Sequence, residues 1–131
     1  MKLQKNTLFA LYSVLEAAAS PGRQLSARAI ARTHRISAHH LAKVLHTLAR
    51  AGIVESVRGV GGGYRFAGNA KRLTLMDVIG LFEDVSARRR RAGRGVERAV
   101  DTVLDEIDEI ARATFRSLTI ATMLKIVTRR K

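Results

Sequence analysis

Apolar residues recur at three- and four-residue spacing along most of this chain and give way to a short extended pattern only near its middle. Residues 7–19 place Leu8, Leu11, Tyr12, Val14, Leu15 and Ala18 at helical intervals, and Ser20-Pro21-Gly22 closes the segment, which predicts a core helix. Ser26 is placed to cap a second, short helix reaching about Thr33, with Ala27, Ala29, Ile30 and Ala31 small enough to pack closely. Arg35-Ile36 makes a turn. Ser37 then caps a third helix through Ala51, with Leu41, Val44, Leu45 and Leu48 on its apolar face and Gly52 as a left-handed stop. A short helix, a tight turn and a second capped helix are the signature of a helix-turn-helix.

Two apolar runs follow directly, Ile53 to Val57 and Tyr64 to Phe66, around a loop rich in glycine. Glycine tolerates the positive φ angles of a tight reversal, so the segment predicts a β-hairpin that carries Arg58 and Arg65, a "wing" beside the helix-turn-helix. A phosphate-cradling nucleotide loop fits less well. No Gly-Lys-Ser/Thr ending is present, Tyr64 stands where a dinucleotide fingerprint needs its third glycine, and the loop leads back into a strand instead of opening a helix.

Gly68 and Asn69 break the strand, and Thr74-x-x-Asp77 has the form of a capping box opening a helix from Leu75 to about Asp84. Residues 86–95 hold Arg88, Arg89, Arg90, Arg91 and Arg94, a self-repelling run that predicts a solvated basic loop. From Val96 onward the periodicity is the longest in the chain. Val96, Val100, Val103, Ile107, Ile110 and Thr114 follow a 4-3-4-3-4 rhythm, while Glu97, Asp101, Asp105, Glu106, Asp108 and Glu109 occupy the other side. So long a stripe in so small a chain predicts a dimerisation helix; packing back on its own domain is the competing expectation. Thr119 caps a last helix over residues 120–127.

Charge sharpens this picture. Residues 1–76 carry 12 Lys and Arg against Glu16 and Glu55, hence +10, whereas residues 77–131 carry 12 against 9 acids, hence +3. The helix-turn-helix half therefore attracts polyanions, with double-stranded DNA the expected partner. An anionic membrane fits less well, because the cations are interleaved with turns and do not line one long amphipathic face. Cysteine is absent, which excludes disulfides and cysteine-ligated zinc or iron–sulfur centres for the chain as given. No apolar run approaches a membrane span and the start Met1-Lys2-Leu3-Gln4-Lys5 lacks a signal-peptide core, so a soluble, cytoplasmic protein is expected.

In a helix-turn-helix the second helix lies in the major groove, so Ser37, His39, His40 and Lys43 are the expected base-side residues. Ser26 and Arg28 are expected to anchor the phosphate backbone. Arg58, Gly61, Gly62 and Arg65 are the wing contacts. Histidines also bind metals, but His39 and His40 point about 100° apart, and His39 and His46 lie roughly 10 Å apart along the axis, too far to share one ion. No metal or other cofactor is expected. The serines and histidines lack any triad context, so an enzyme is not expected either.

These residues resemble a known family, the Rrf-type bacterial transcription regulators of the IscR, NsrR and CymR group. The resemblance is carried by Phe9-Ala10-Leu11, Ile36-Ser37, Leu48-x-x-Ala51-Gly52-Ile53-Val54 and the wing Ser56-Val57-Arg58-Gly59-x-Gly61-Gly62-Gly63-Tyr64. It continues through Leu73-Thr74-Leu75-x-Asp77-Val78-Ile79 and Ser117-Leu118-Thr119-Ile120-Ala121, and so covers nearly everything but the arginine loop. It implies a dimer crossed through long C-terminal helices that binds palindromic promoter DNA, with a wing arginine, here Arg58, in the minor groove. Cluster-binding members carry three cysteines between the linker helix and the dimer helix. Residues 87–96 carry none, so iron–sulfur sensing does not transfer. Ala42 stands where some relatives have glutamate, so neither do their operator sequences.

The expected fold is mainly α with a small β-hairpin, a winged helix-turn-helix plus a long C-terminal dimerisation helix. Residues 1–84 form the DNA-binding domain with its linker helix, 85–95 the basic loop, and 96–131 the dimerisation and C-terminal helices. The expected function is a homodimeric, sequence-specific transcriptional regulator, a repressor, with no effector specified. A nonspecific, nucleoid-type nucleic-acid-binding protein is the alternative.

Overall fold

The computed structural model describes residues 3–59, 62–83 and 94–129. Its first helix, α1 (Lys5–Ala19), has no cap from its own side chains; Gln4 at the N-cap makes none. The Glu83 carboxylate supplies one from across the fold, accepting the Gln4 N–H at 2.8 Å and the hydroxyl of the fully buried Thr7. A carboxylate at a helix N-terminus meets both unpaired N–H groups and the positive end of the dipole.

The next two helices form as their caps predict. In α2 (Ala27–His34) the Ser26 hydroxyl accepts the Ala29 N–H at 3.0 Å, and in α3 (Ala38–Arg50) Ser37 accepts from His40 at 3.1 Å. The turn between them depends on Arg35, a non-glycine residue in the left-handed region at φ 55°. Its strain is offset by hydrogen bonds that close the end of α2, with the Ile36 N–H reaching Ala31 at 2.9 Å while the Ile36 side chain is buried. Gly52, at φ 79°, ends α3 in the same way.

The wing is an antiparallel pair, β1 (Val54–Val57) and β2 (Gly63–Phe66), in the register Val54↔Phe66, Glu55↔Arg65, Ser56↔Tyr64 and Val57↔Gly63. On its other side β2 bridges to Leu25, with Leu25 and Tyr64 exchanging hydrogen bonds of 2.7 and 2.8 Å. This clamps the wing to the segment before α2.

Linker helix α4 (Leu75–Ile79) opens with a complete capping box, Thr74 and Asp77 satisfying each other's backbone N–H groups. It is shorter than the expected span to Asp84, which itself lies outside the described residues. Gly80 closes it and the chain tightens into turns that half-bury Phe82 and carry Glu83 to α1. The long helix α5 (Val96–Ser117) packs against α4, and α6 (Ile120–Arg129), capped by Thr119, packs against α1. Two hydrogen bonds of 2.8 Å, Leu75 to Leu118 and Ile120 to Leu73, stitch the α5–α6 corner to the start of α4.

One core fills the space between these elements. It takes Leu41, Val44, Leu45 and Leu48 from α3, Val54 from β1, Leu75, Val78 and Ile79 from α4 and Ile120 from α6. The face of α1 differs from the expected one. Of its six predicted core positions only Val14 and Ala18 are buried; the buried stripe is Thr7, Ala10, Ser13, Val14, Ala17 and Ala18. Small side chains let the neighbouring helices approach, and Leu11 and Leu15 pack on the margins of the core.

Candidate nucleic-acid interface

Neither α2 nor α3 contains an acidic residue. Of the two acids before the wing loop, Glu16 lies 3.7 Å from His34 Nε2, too long for a hydrogen bond, while His34 stacks on Tyr12 with ring centroids 5.0 Å apart. The other, Glu55, is ion-paired with Arg65. The outer surface of the helix-turn-helix is thus cationic without internal neutralisation.

Every expected contact that is described is exposed: Ser26, Arg28, Ser37, His39, His40, Lys43, Arg58, Gly62 and Arg65. Gly61 lies outside the described residues. At the head of α3, Ser37 Oγ accepts the His40 amide and stands 2.9 Å from His40 Nδ1. Since Oγ is already an acceptor, its proton can go to Nδ1, a tautomer assignment that leaves the Nε2–H facing outward as a donor. The amides of Ala38 and His39 remain at the helix start as donors for an anion.

In the wing, Arg58 is exposed and pairs with no acid among the described residues. Arg65 differs, because the register sets it opposite Glu55 and their side chains pair across the hairpin. Sequence inspection missed that pair, although counting inward from both ends of the loop signals it. The glycines also act differently from the simple expectation. Gly59 has φ 115°, but Gly62 and Gly63 are needed for closeness: a Cβ at Gly63 would stand 2.2 Å from the Leu25 carbonyl oxygen, and at Gly62 2.7 Å from that of Val57.

Along α5 no residue is buried. Val96 is 80% exposed and Ile110 67%, with Val100, Val103, Leu104 and Ile107 also open, and Thr114 turns its hydroxyl back to the Ile110 carbonyl at 3.0 Å. An open apolar groove of about 310 Å³ lies on this face, lined by Ala99, Val100, Val103 and Leu104. Leu104 lines this groove although it lies outside the 4-3 rhythm.

A capped helix-turn-helix clamped to a glycine-tipped hairpin, with its cations outward, defines a winged helix-turn-helix DNA-binding regulator. Comparison with known proteins agrees. Residues 3–126 match the family described as "Rrf2: Iron-dependent Transcriptional regulator". The HTH-type transcriptional regulator BadM of Rhodopseudomonas palustris is 54% identical over 130 residues, covering 97% of this chain and 83% of BadM. NsrR of Bacillus subtilis is 36% identical over 85 residues, 64% of this chain and 58% of NsrR. Among solved structures, CymR, the global cysteine regulator of B. subtilis, superposes with a TM-score of 0.81 over 96% of this chain and 98% of CymR at 24% identity, which shows a shared fold. The chain belongs to the Rrf2 family, and it is a transcriptional regulator, not an enzyme.

Among the described residues, the iron in the family's name finds no matching ligands. The chain has no cysteine, and among the described residues no three His, Asp or Glu side chains converge closely enough to hold a metal ion. Nor is any described helix long and apolar enough to cross a membrane.

Proposed function

We propose that the protein acts as a homodimeric repressor on palindromic promoter DNA, without a cysteine-ligated cluster. Residues 1–84 serve as the reading domain with its linker helix, 85–95 as a basic connector, and 96–131 as the dimerisation helix and its return. Ser26 and Arg28 anchor the phosphate backbone. The Ser37 end of α3 meets a phosphate through its amides, while His39, His40 and Lys43 face the major groove and its rim. Arg58 enters the minor groove, Gly61 and Gly62 let the wing approach closely, and Arg65 stiffens the hairpin through Glu55 beside the backbone.

The observation that carries this reading is the outward apolar seam of α5. Val96, Val100, Val103, Ile107, Ile110 and Thr114 lie on one stripe of a helix with nothing buried, and a second copy laid along it removes that stripe from water. Pairing two α5 helices gives the complex a two-fold axis, which matches a palindrome with half-sites about 34 Å apart. Light scattering together with gel shifts on palindromic and scrambled duplexes tests it. The expected result is a dimer that prefers its palindrome by roughly 10³-fold or more. Equal affinity for both duplexes would favour the nucleoid-type alternative, and a monomer would remove the two-fold geometry.

A further inference from the structure

The ridge of α3 that points directly away from the core is longer than the helix head that first attracts notice. At about 100° per residue, Leu41, Val44, Leu45 and Leu48 centre on one direction, and His39, Lys43, His46 and Arg50 all fall within about 30° of the opposite one. All four are exposed, and no acid among the described residues engages any of them. His40 lies roughly 90° off this ridge with its Nδ1 tied to Ser37. Ala38 and Ala42 flank the ridge on the other side with methyl groups only, so no long side chain holds that wall of the helix away from a surface.

We propose that α3 lies along the major groove on this ridge, with His46 as a base-reading residue in the third turn, Arg50 on a flanking phosphate and His40 on the backbone at the groove rim. The proposal rests on the DNA-binding reading above and extends it from the head of the helix to its far half. His39 and His46 are roughly 10 Å apart along the axis, about three base-pair steps, so both reach base edges only if the helix runs along the groove instead of entering by its tip. Imidazole can donate to guanine O6 or accept from an exocyclic amine, either of which carries sequence information. Arg50, about 16 Å from His39, lies beyond the bases and at the wall.

The test is selection of bound duplexes from a random library by the full chain and its His46→Ala, His40→Ala and Arg50→Ala variants, each checked for an unchanged thermal melt. The expected result for His46→Ala is loss of preference at one base pair in each half-site, at least tenfold, with nonspecific affinity unchanged. His40→Ala and Arg50→Ala are expected to weaken all sequences alike, and Arg50→Ala to lower the salt slope by about one. His46→Ala selecting the same sequences as wild type overturns the inference while leaving the DNA-binding reading intact. Wild type selecting nothing overturns both.

Discussion

Gly63 shows how one missing side chain positions a wing. Its backbone is pressed against Leu25, so the Cβ of Gly63→Ala meets a carbonyl oxygen that belongs to a paired backbone and cannot rotate away. The variant is expected to lose about 1–3 kcal/mol in urea unfolding; a loss within error would mean that the clamp between β2 and Leu25 is loose. Arg58 is the opposite case, an exposed side chain with no structural role among the described residues. Arg58→Ala is expected to leave stability unchanged and to weaken operator binding by about 1–2 kcal/mol, roughly tenfold, most at sites with a narrow A·T-rich minor groove. Equal gel-shift affinity across all operators would take the wing out of the contact. That Arg58 stands exposed at the end of the wing strand was legible in the sequence, because its context is local. Arg65 was only half legible, since its partner Glu55 is set by a register that the wing adopts on folding.

At the scale of elements, the capping residues were the clearest signals. Ser26, Ser37, Thr74 and Thr119 each satisfy an N–H three residues on, as their types and positions predict. The cap of α1 was invisible, because Glu83 lies 76 residues from Thr7 and reaches it only through the turn after α4. The buried face of α1 was misjudged for a related reason: periodicity marks large apolar residues, whereas close packing here selects alanine, serine and threonine. On α5 the stripe itself was plain, and its exposure in the single chain gives the dimer proposal a direct test. Ile107→Asp places a charge in the seam, and an unpaired buried charge costs about 3–5 kcal/mol, so the dimer dissociation constant is expected to rise by roughly 10²–10⁴-fold. Sedimentation at graded concentration measures it; an unchanged constant would mean that the seam is not the interface.

For the whole molecule, α5 is not a separate appendage of the reading head. Its far end is hydrogen-bonded to the start of α4, and α6 returns to α1 with Ile120 inside the common core. In the proposed dimer, a change in how two α5 helices cross would therefore be transmitted to both heads through packed elements. The family's iron has no cysteine to bind here, so operator affinity is expected to stay within twofold after treatment with a ferrous chelator or with peroxide. A shift above tenfold in a fluorescence titration would show that the chain senses iron or oxidants by other ligands.

By itself, the sequence determined where the side-chain-capped helices begin, the hairpin, the basic half and the length of the α5 stripe. Each of these follows from hydrogen bonds and periodicities that close within three or four residues, or from charge that simply adds. Only the tertiary structure decided which side of α1 faces the core, that Glu83 caps it and that Leu25 pairs with Tyr64 to hold the wing. Those outcomes depend on groups brought together from distant parts of the chain, and packing, not local propensity, selects among the faces that a helix offers.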